Sequence, residues 1–367
     1  MKAPNKTYRH YGWECSPYSS KTRSYLRYKH IPFKDIHPTI FGIKEVIEKR
    51  VGFIMMPIVI CPDDTTLQDT SYIIDVLEEA HSERPVTPTT PKQKLVSYLF
   101  ELFADEWLPI IAMHSRWNNP INKKFAFKEF GQQALPFLPG FASNPLGKMF
   151  GEKMQSYLPV LGITERTAPE IETWMRELFE QLDAHFSEHP FLCGTKPCLG
   201  DFALYGPLYA HVWRDPNWRE NFEAYTHLNA WRIQLGGPAD INGTYLANDD
   251  VPHTLWPILT RMFNEQFPTL IETVRRIESY LDEHENSKRF PRGLGELEFK
   301  LGNAQEKRKV MTFQQWMLQR SLDCYKNFEA SDKESVDQFL QEIGGYKAMQ
   351  IQLKYRLTRK NFRVVPQ

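Results

Sequence analysis

The chain lacks a surplus of either charge: Lys plus Arg and Asp plus Glu number 45 each in 367 residues. A neutral chain exerts no global pull on nucleic acid or on an anionic membrane, and neither partner is expected. Long apolar runs are missing too. The most apolar stretch, residues 53–61, is interrupted by Pro57, and it is far shorter than the ~20 residues a membrane helix needs. The opening MKAPNKTYRHYGW has no apolar signal core, so secretion is not expected. Cysteine is scarce and scattered (Cys15, Cys61, Cys193, Cys198, Cys324) and odd in number. That excludes a disulfide framework and suggests a reducing compartment, so a cytoplasmic protein is expected. There is no internal repeat and no low-complexity tract.

What is present is ordinary globular material with a rich apolar share. Hydrophobic residues make up 41% and aromatics 13%, enough for a large core and for apolar pockets. The length predicts two domains at the usual ~100–200 residues each, with some chain to spare.

The N-terminal part alternates strand and helix. Strands are predicted at 7–11, 33–37 and 58–61, with 66–68 as a hairpin partner. Helices are predicted at 19–30, 43–50 and 69–80, the last burying Ile73, Ile74 and Leu77. This order implies a mixed sheet with helices on its faces. Residues 83–91 then carry three prolines, which stop helices and favour an extended linker. Beyond it the apolar spacing is helical at 92–114, 167–189, 199–213, 254–285, 312–325 and 332–343. Thr167 and Glu170 are spaced as a capping box.

Two places carry chemistry. Ser16-Pro17-Tyr18-Ser19 lies between the first strand and the first helix. A helix N-terminus has unpaired N–H groups and the positive end of the helix dipole, so it stabilises an anion. A hydroxyl or thiol there can lower the pKa of a bound thiol or react itself. The four-residue spacing looks like the Cys-Pro-Tyr-Cys of glutaredoxins with both cysteines replaced by serine. The second place is Met56-Pro57, a candidate cis-proline before the third strand, followed by Gln68-Asp69-Thr70-Ser71 at the start of the third helix. Asp69 and Thr70 can cap that helix, or bind the ammonium and carboxylate of a γ-glutamyl group.

Taken together, these segments resemble the glutathione transferase superfamily. The residues that carry the resemblance are Ser16-Pro17-Tyr18-Ser19 with Lys21 and Arg23, Ile31-Pro32-Phe33, Met56-Pro57-Ile58-Val59, and residues 67–73 (LQDTSYI). A further patch, residues 191–202 (FLCGTKPCLGDF), is similar to the family's capped core helix, with Cys198 standing where a Ser or Thr cap is usual. The resemblance covers residues 7–80 and 170–235. It implies an α+β fold: a thioredoxin-like N-terminal domain with a mixed four-stranded sheet (1–84), a Pro-rich linker (85–91), and a larger all-α domain (92–367). The stretch 118–166 exceeds the family's usual loop, and the chain after 285 is an extension.

The resemblance further implies a glutathione-binding transferase and a homodimer. Ser16 would stabilise the glutathione thiolate, and Tyr18 and Pro57 would lie at the glutathione site. Met56 would pair with the cysteinyl backbone. Asp69 and Thr70 would hold the γ-glutamyl end. Glutathione would be the co-substrate of an apolar electrophile, with no metal.

Alternatives stand beside this reading. Ser16 can be a plain helix cap and Tyr18 a core residue. Cys15 can be the nucleophile of a glutathione-dependent reductase or lyase. The fold can also serve binding without catalysis. Trp107, His114 and Trp117 follow one another along a helix and its exit, as substrate-pocket lining or as core. His185 and His189 are spaced like metal ligands but lack a third. The end of the chain, 343–367, has six basic residues and no acidic one, and 351–357 alternate with a period of two. A solvated basic edge strand explains this, as would a patch for an anionic partner.

Overall fold

The computed structural model describes residues 7–237, 240–284 and 290–367. Strands β1 (Tyr8–Tyr11), β2 (Phe33–Ile36), β3 (Ile58–Ile60) and β4 (Thr66–Gln68) form one sheet in the order β2-β1-β3-β4. β1 and β2 are parallel, and the helix Pro17–Tyr28 makes the crossover that a parallel pair requires. β3 runs antiparallel to both β1 and β4. Ile58, Val59 and Ile60 are fully buried, as a central strand covered on both faces should be. The helix Thr70–Ala80 turns Ile73, Ile74 and Leu77 inward. This is the thioredoxin-like mixed sheet that the sequence predicts, followed by a mainly helical remainder.

Between β2 and β3 the expected single helix is three contiguous turns, Ile40–Gly42, Ile43–Glu48 and Lys49–Val51. They end at Gly52 with φ +83°, a left-handed cap that glycine adopts at little cost. The Pro-rich stretch has no regular element until the helix Pro91–Glu106. Its start is tied down: Val86 N–H and Tyr25 O–H both donate to the Glu78 carboxylate, each at 2.8 Å.

The chain forms two compact units. One gathers the described residues up to 86 with 112–156 and 202–242; the other gathers 87–111, 157–201 and those of 243–367. The linker therefore does not divide the chain into a before and an after. Prolines report where an element stops, not which core the next helix joins.

The stretch after 285 is not all-helical, contrary to expectation. Within the second unit, β5 (Gly293–Leu301) and β6 (Ala304–Met311) form a hairpin, and β7 (Leu357–Lys360) and β8 (Arg363–Pro366) form another. The first was legible: Leu297, Phe299 and Leu301 point inward between exposed Glu298 and Lys300, and Gly302-Asn303 makes the turn. The last strands begin later than the alternation suggested. Residues 351–356 are irregular because their backbone is engaged by side chains, Gln315 Nε2 donating to Tyr355 O and Lys354 N–H to Glu278. The basic charge of this segment is partly matched within the unit. Lys354 pairs with Asp282 at 2.6 Å, and Arg356 makes a two-bond pair with Asp323.

Two caps also differ. Thr167 does not form a capping box: its hydroxyl donates to Gly162 O at 2.8 Å, and Glu170 accepts from Asn303 N–H. At the helix beginning at Leu199, Asp201 does the work that Cys198 cannot. Its carboxylate accepts from Cys198 N–H at 2.8 Å and Leu192 N–H at 3.1 Å.

Candidate active site

Strand register gathers the sequence-predicted residues. Tyr11 pairs with Ile36 and Ile58, and Ile58 with Gln68. Those four residues make one row at one end of the sheet. The loop after Tyr11 leads to Ser16, that after Ile36 to His37, and that after Gln68 to Asp69 and Thr70. Met56-Pro57 enters Ile58 from the same end, through a cis peptide bond.

Ser16 is the N-cap of the helix Pro17–Tyr28. Its Oγ accepts from Ser19 N–H at 3.3 Å. A hydroxyl has one donor and two acceptor positions, so this cap leaves its O–H able to donate to an anion. The first turn holds no acidic side chain, so nothing on the helix itself competes for its positive end. Gly12 lets the loop close, because a Cβ there would lie 2.4 Å from Ser19 Oγ. Tyr18, in the first turn, is exposed and Pro17 is half-buried.

Asp69 also caps a helix, accepting from Tyr72 N–H at 3.0 Å. Its φ is +79° with ψ 131°, outside the left-handed helical region that Asp tolerates, so the backbone is strained at this cap. Thr70 beside it is buried, and Met56 is half-buried.

Beneath Ser16, Cys15 is buried, and burial pushes its thiol up to about 11, against the weaker opposing pull of Arg116. The fully buried Arg116 grips this loop. Its guanidinium donates to Cys15 O at 2.9 Å, to Ala210 O, and twice to Asp215 at 2.9 Å. Gln133 Nε2 lies 3.8 Å from Cys15 Sγ.

A charged network flanks the loop. Arg23 Nε is 2.6 Å from Asp35 and 3.4 Å from Glu14. His10 Nδ1 lies 2.9 Å from Asp35, and Tyr209 O–H donates to Glu14 at 3.0 Å. His37 Nε2 lies 3.6 Å from Glu14 and 3.8 Å from Asp35. Burial raises the Glu14 carboxyl, but His37, Arg23, Tyr209 and Arg214 outweigh it and hold the group at about 2. The carboxylate of Asp35, then that of Glu14, lifts His37 to about 9. His37 is thus a fixed cation at neutral pH, not a base. Glu14, Asp35 and His37 offer the geometry of a metal cluster, yet Arg23 and His37 already neutralise the two carboxylates.

The substrate-pocket expectation fares differently. Trp107 is fully buried in the second unit, against Trp174, Phe299 and Arg308. In the first unit, Trp117 packs on Phe127 and Phe130, and His114 Nδ1 meets Asn118 at 2.9 Å. All three are core residues, because an apolar stripe at helical spacing is first of all a packing face. His185 is likewise buried, bonded to Thr254 at 2.7 Å. Sequence reasoning missed Glu14, Asp35, His37, Arg116 and Asp215. No local pattern joins Arg116 to Asp215, 99 positions away, or Glu14 to Asp35 and His37 across a strand and a helix.

Residues 11–85 match the model of the glutathione S-transferase N-terminal domain, and residues 148–235 that of the glutathione S-transferase C-terminal domain. These two segments are glutathione S-transferase domains. No curated protein matches it. Among solved structures it is similar to FzlA from C. crescentus, at 16% identity over 69% of this chain and 92% of that one, with a TM-score of 0.40. It is similar to a glutathione S-transferase from Methylobacterium radiotolerans in complex with glutathione sulfonate, at 18% identity over 67% and 100%, with a TM-score of 0.40. The beta-etherase LigF from Sphingobium is similar at 15% identity over 63% and 95%, with a TM-score of 0.46. The helix Pro120–Ala134 and everything after residue 235 lie outside both transferase domain matches.

Proposed function

We propose that this protein is a glutathione transferase acting on an apolar electrophile. The observation that carries the reading is Ser16, a hydroxyl capping an otherwise uncompensated helix N-terminus in the matched domain, with its donor position free. The glutathione thiol loses its proton to solvent. Ser16 O–H and the helix dipole then stabilise the thiolate sulfur, which forms a bond to the electrophilic carbon as the leaving group departs with its electron pair. Met56 would meet the cysteinyl backbone beside Pro57, and Asp69 and Thr70 the γ-glutamyl end. The homodimer implied by the resemblance and the cytoplasmic location suggested by the scattered cysteines belong to the same proposal.

Cys15 supports the rival reductase or lyase less. Its thiol is buried and held near 11, so almost none of it is thiolate at neutral pH, and the thiolate is the nucleophile.

The test is conjugation of glutathione to an activated aryl halide by Ser16→Ala and Cys15→Ala variants. Ser16→Ala is expected to lower kcat by about 10²–10³, the usual cost of one donor to a developing or bound anion. Cys15→Ala should leave it within a few-fold. Unchanged turnover in Ser16→Ala, or a glutathione mixed disulfide on Cys15 by mass spectrometry, overturns the proposal.

A further inference from the structure

The helices Pro120–Ala134 and Gly140–Gln155 form a hairpin in the first unit, and the packing towards its tip is inverted for a protein in water. Small residues fill the seam between the helices. A Cβ on Gly147 would lie 2.0 Å from Phe127 O, and one on Gly131 2.6 Å from Ser143 O. Gly147 and Gly151 make a Gly-x-x-x-Gly step. Along the hairpin's length Phe127, Phe130 and Phe150 pack inward on Trp117 and Trp13, but towards the tip large apolar side chains face out: Phe141 is 84% exposed, Phe137 62% and Met149 56%. Phe41, 62% exposed, extends the patch by stacking on Phe137 at 6.3 Å and 20°. Eighteen consecutive residues, 130–147, carry no charge. Lysines stand on both sides, Lys124 and Lys128 before and Lys148 and Lys153 after. Of the nearest acidic groups, Glu129 is matched by Arg214 and Glu152 takes Lys148, which leaves Lys124, Lys128 and Lys153 as the uncompensated charge of the collar among the described residues.

Small residues inside and large apolar ones outside is how helices pair where the solvent is hydrocarbon, because lipid gives large side chains no reason to hide. A basic collar around an uncharged aromatic tip complements an anionic headgroup layer. No helix among the described residues is long and apolar enough to cross a membrane, so the fit is to one face of a bilayer.

We propose that this hairpin tip docks the protein on an anionic lipid surface, with Phe137 and Phe141 entering the acyl boundary. Overall neutrality hides the patch, since charge averaged over the chain says nothing of its placement. The proposal stands independently of the catalytic reading.

The test is co-sedimentation of the full chain at low salt with phosphatidylcholine vesicles, with and without phosphatidylserine. Wild type should pellet with the phosphatidylserine vesicles. The exposed pair Phe137→Ser with Phe141→Ser should weaken binding by about tenfold or more per residue, with unchanged circular dichroism. Lys124→Glu with Lys128→Glu should weaken it by about fivefold per residue. Wild type pelleting no better than the Phe variant overturns the proposal. So does a Phe variant that turns a dimer into a monomer by light scattering while vesicle binding is unchanged, which would assign the face to a second copy.

Discussion

Breaking the Arg116–Asp215 pair should unfold the first unit far earlier than removing the whole pair does. Both side chains are essentially excluded from solvent and joined by paired N–H···O bonds of 2.9 Å. Arg116→Met strands a buried carboxylate, which costs about 3–5 kcal/mol. It also leaves Cys15 O and Ala210 O without this donor, adding about 1–3 kcal/mol. A unit of about 170 residues loses roughly 2–4 °C of Tm per kcal/mol, so a fall of about 8–30 °C is expected. Asp215→Leu strands the guanidinium and should cost about 3–5 kcal/mol alone. The double variant removes both charges and should lose less than either single change, because apolar replacements of a buried pair are often neutral. Thermal melts followed by near-ultraviolet circular dichroism measure all three. Additive losses, or an Arg116→Met shift under about 2 °C, would refute the reasoning.

Three further outcomes follow from the same geometry. Glu14, held at about 2 against 4.5 when unfolded, contributes stability that is present above pH 4.5 and lost as pH falls towards 2; His37, raised to about 9 from 6.5, contributes stability present below 6.5 and lost as pH rises through 9. Tm should therefore peak between those windows, with Glu14→Gln flattening the acid limb and His37→Gln the alkaline one; curves parallel to wild type would contradict the network. Arg308 is fully buried, and none of its guanidinium nitrogens has a hydrogen-bond partner among the described residues. Arg308→Met should leave stability unchanged or raise it by about 1–4 kcal/mol, and a loss above about 2 kcal/mol, read by urea melts, would show that the guanidinium has an acceptor. Asp69→Ala should raise the glutathione KM more than it lowers kcat, since uniform binding is lost. It should also cost about 1 kcal/mol through the missing cap, and an unchanged KM would remove Asp69 from the ligand site.

The sequence by itself determined the sheet and the helix starts that lie along it. The compact run Ile58-Val59-Ile60, the strands on either side and the helix with Ile73, Ile74 and Leu77 are local patterns of period two and period 3.6, and the chain obeys them. Ser16 and Asp69 were readable as helix starts because a cap is a matter of one side chain and the next three residues. Even the hairpin at Leu297–Leu301 is spelled by alternation and a Gly-Asn turn, set among helices of period 3.6.

Only the tertiary structure decided what shares a core. It took Trp107 and Trp117, equal members of one apolar stripe, and spent them in packing in different units. It brought Arg116 and Asp215 under the Ser16 loop, and Glu14, Arg23, Asp35 and His37 into one network beside it. It also left Phe137 and Phe141 outside while glycines closed the seam behind them. The physical reason is the same each time. Hydrophobicity and charge are carried by single residues, but burial, pairing and neutralisation belong to contacts between distant ones, and those exist only once the chain has chosen its neighbours.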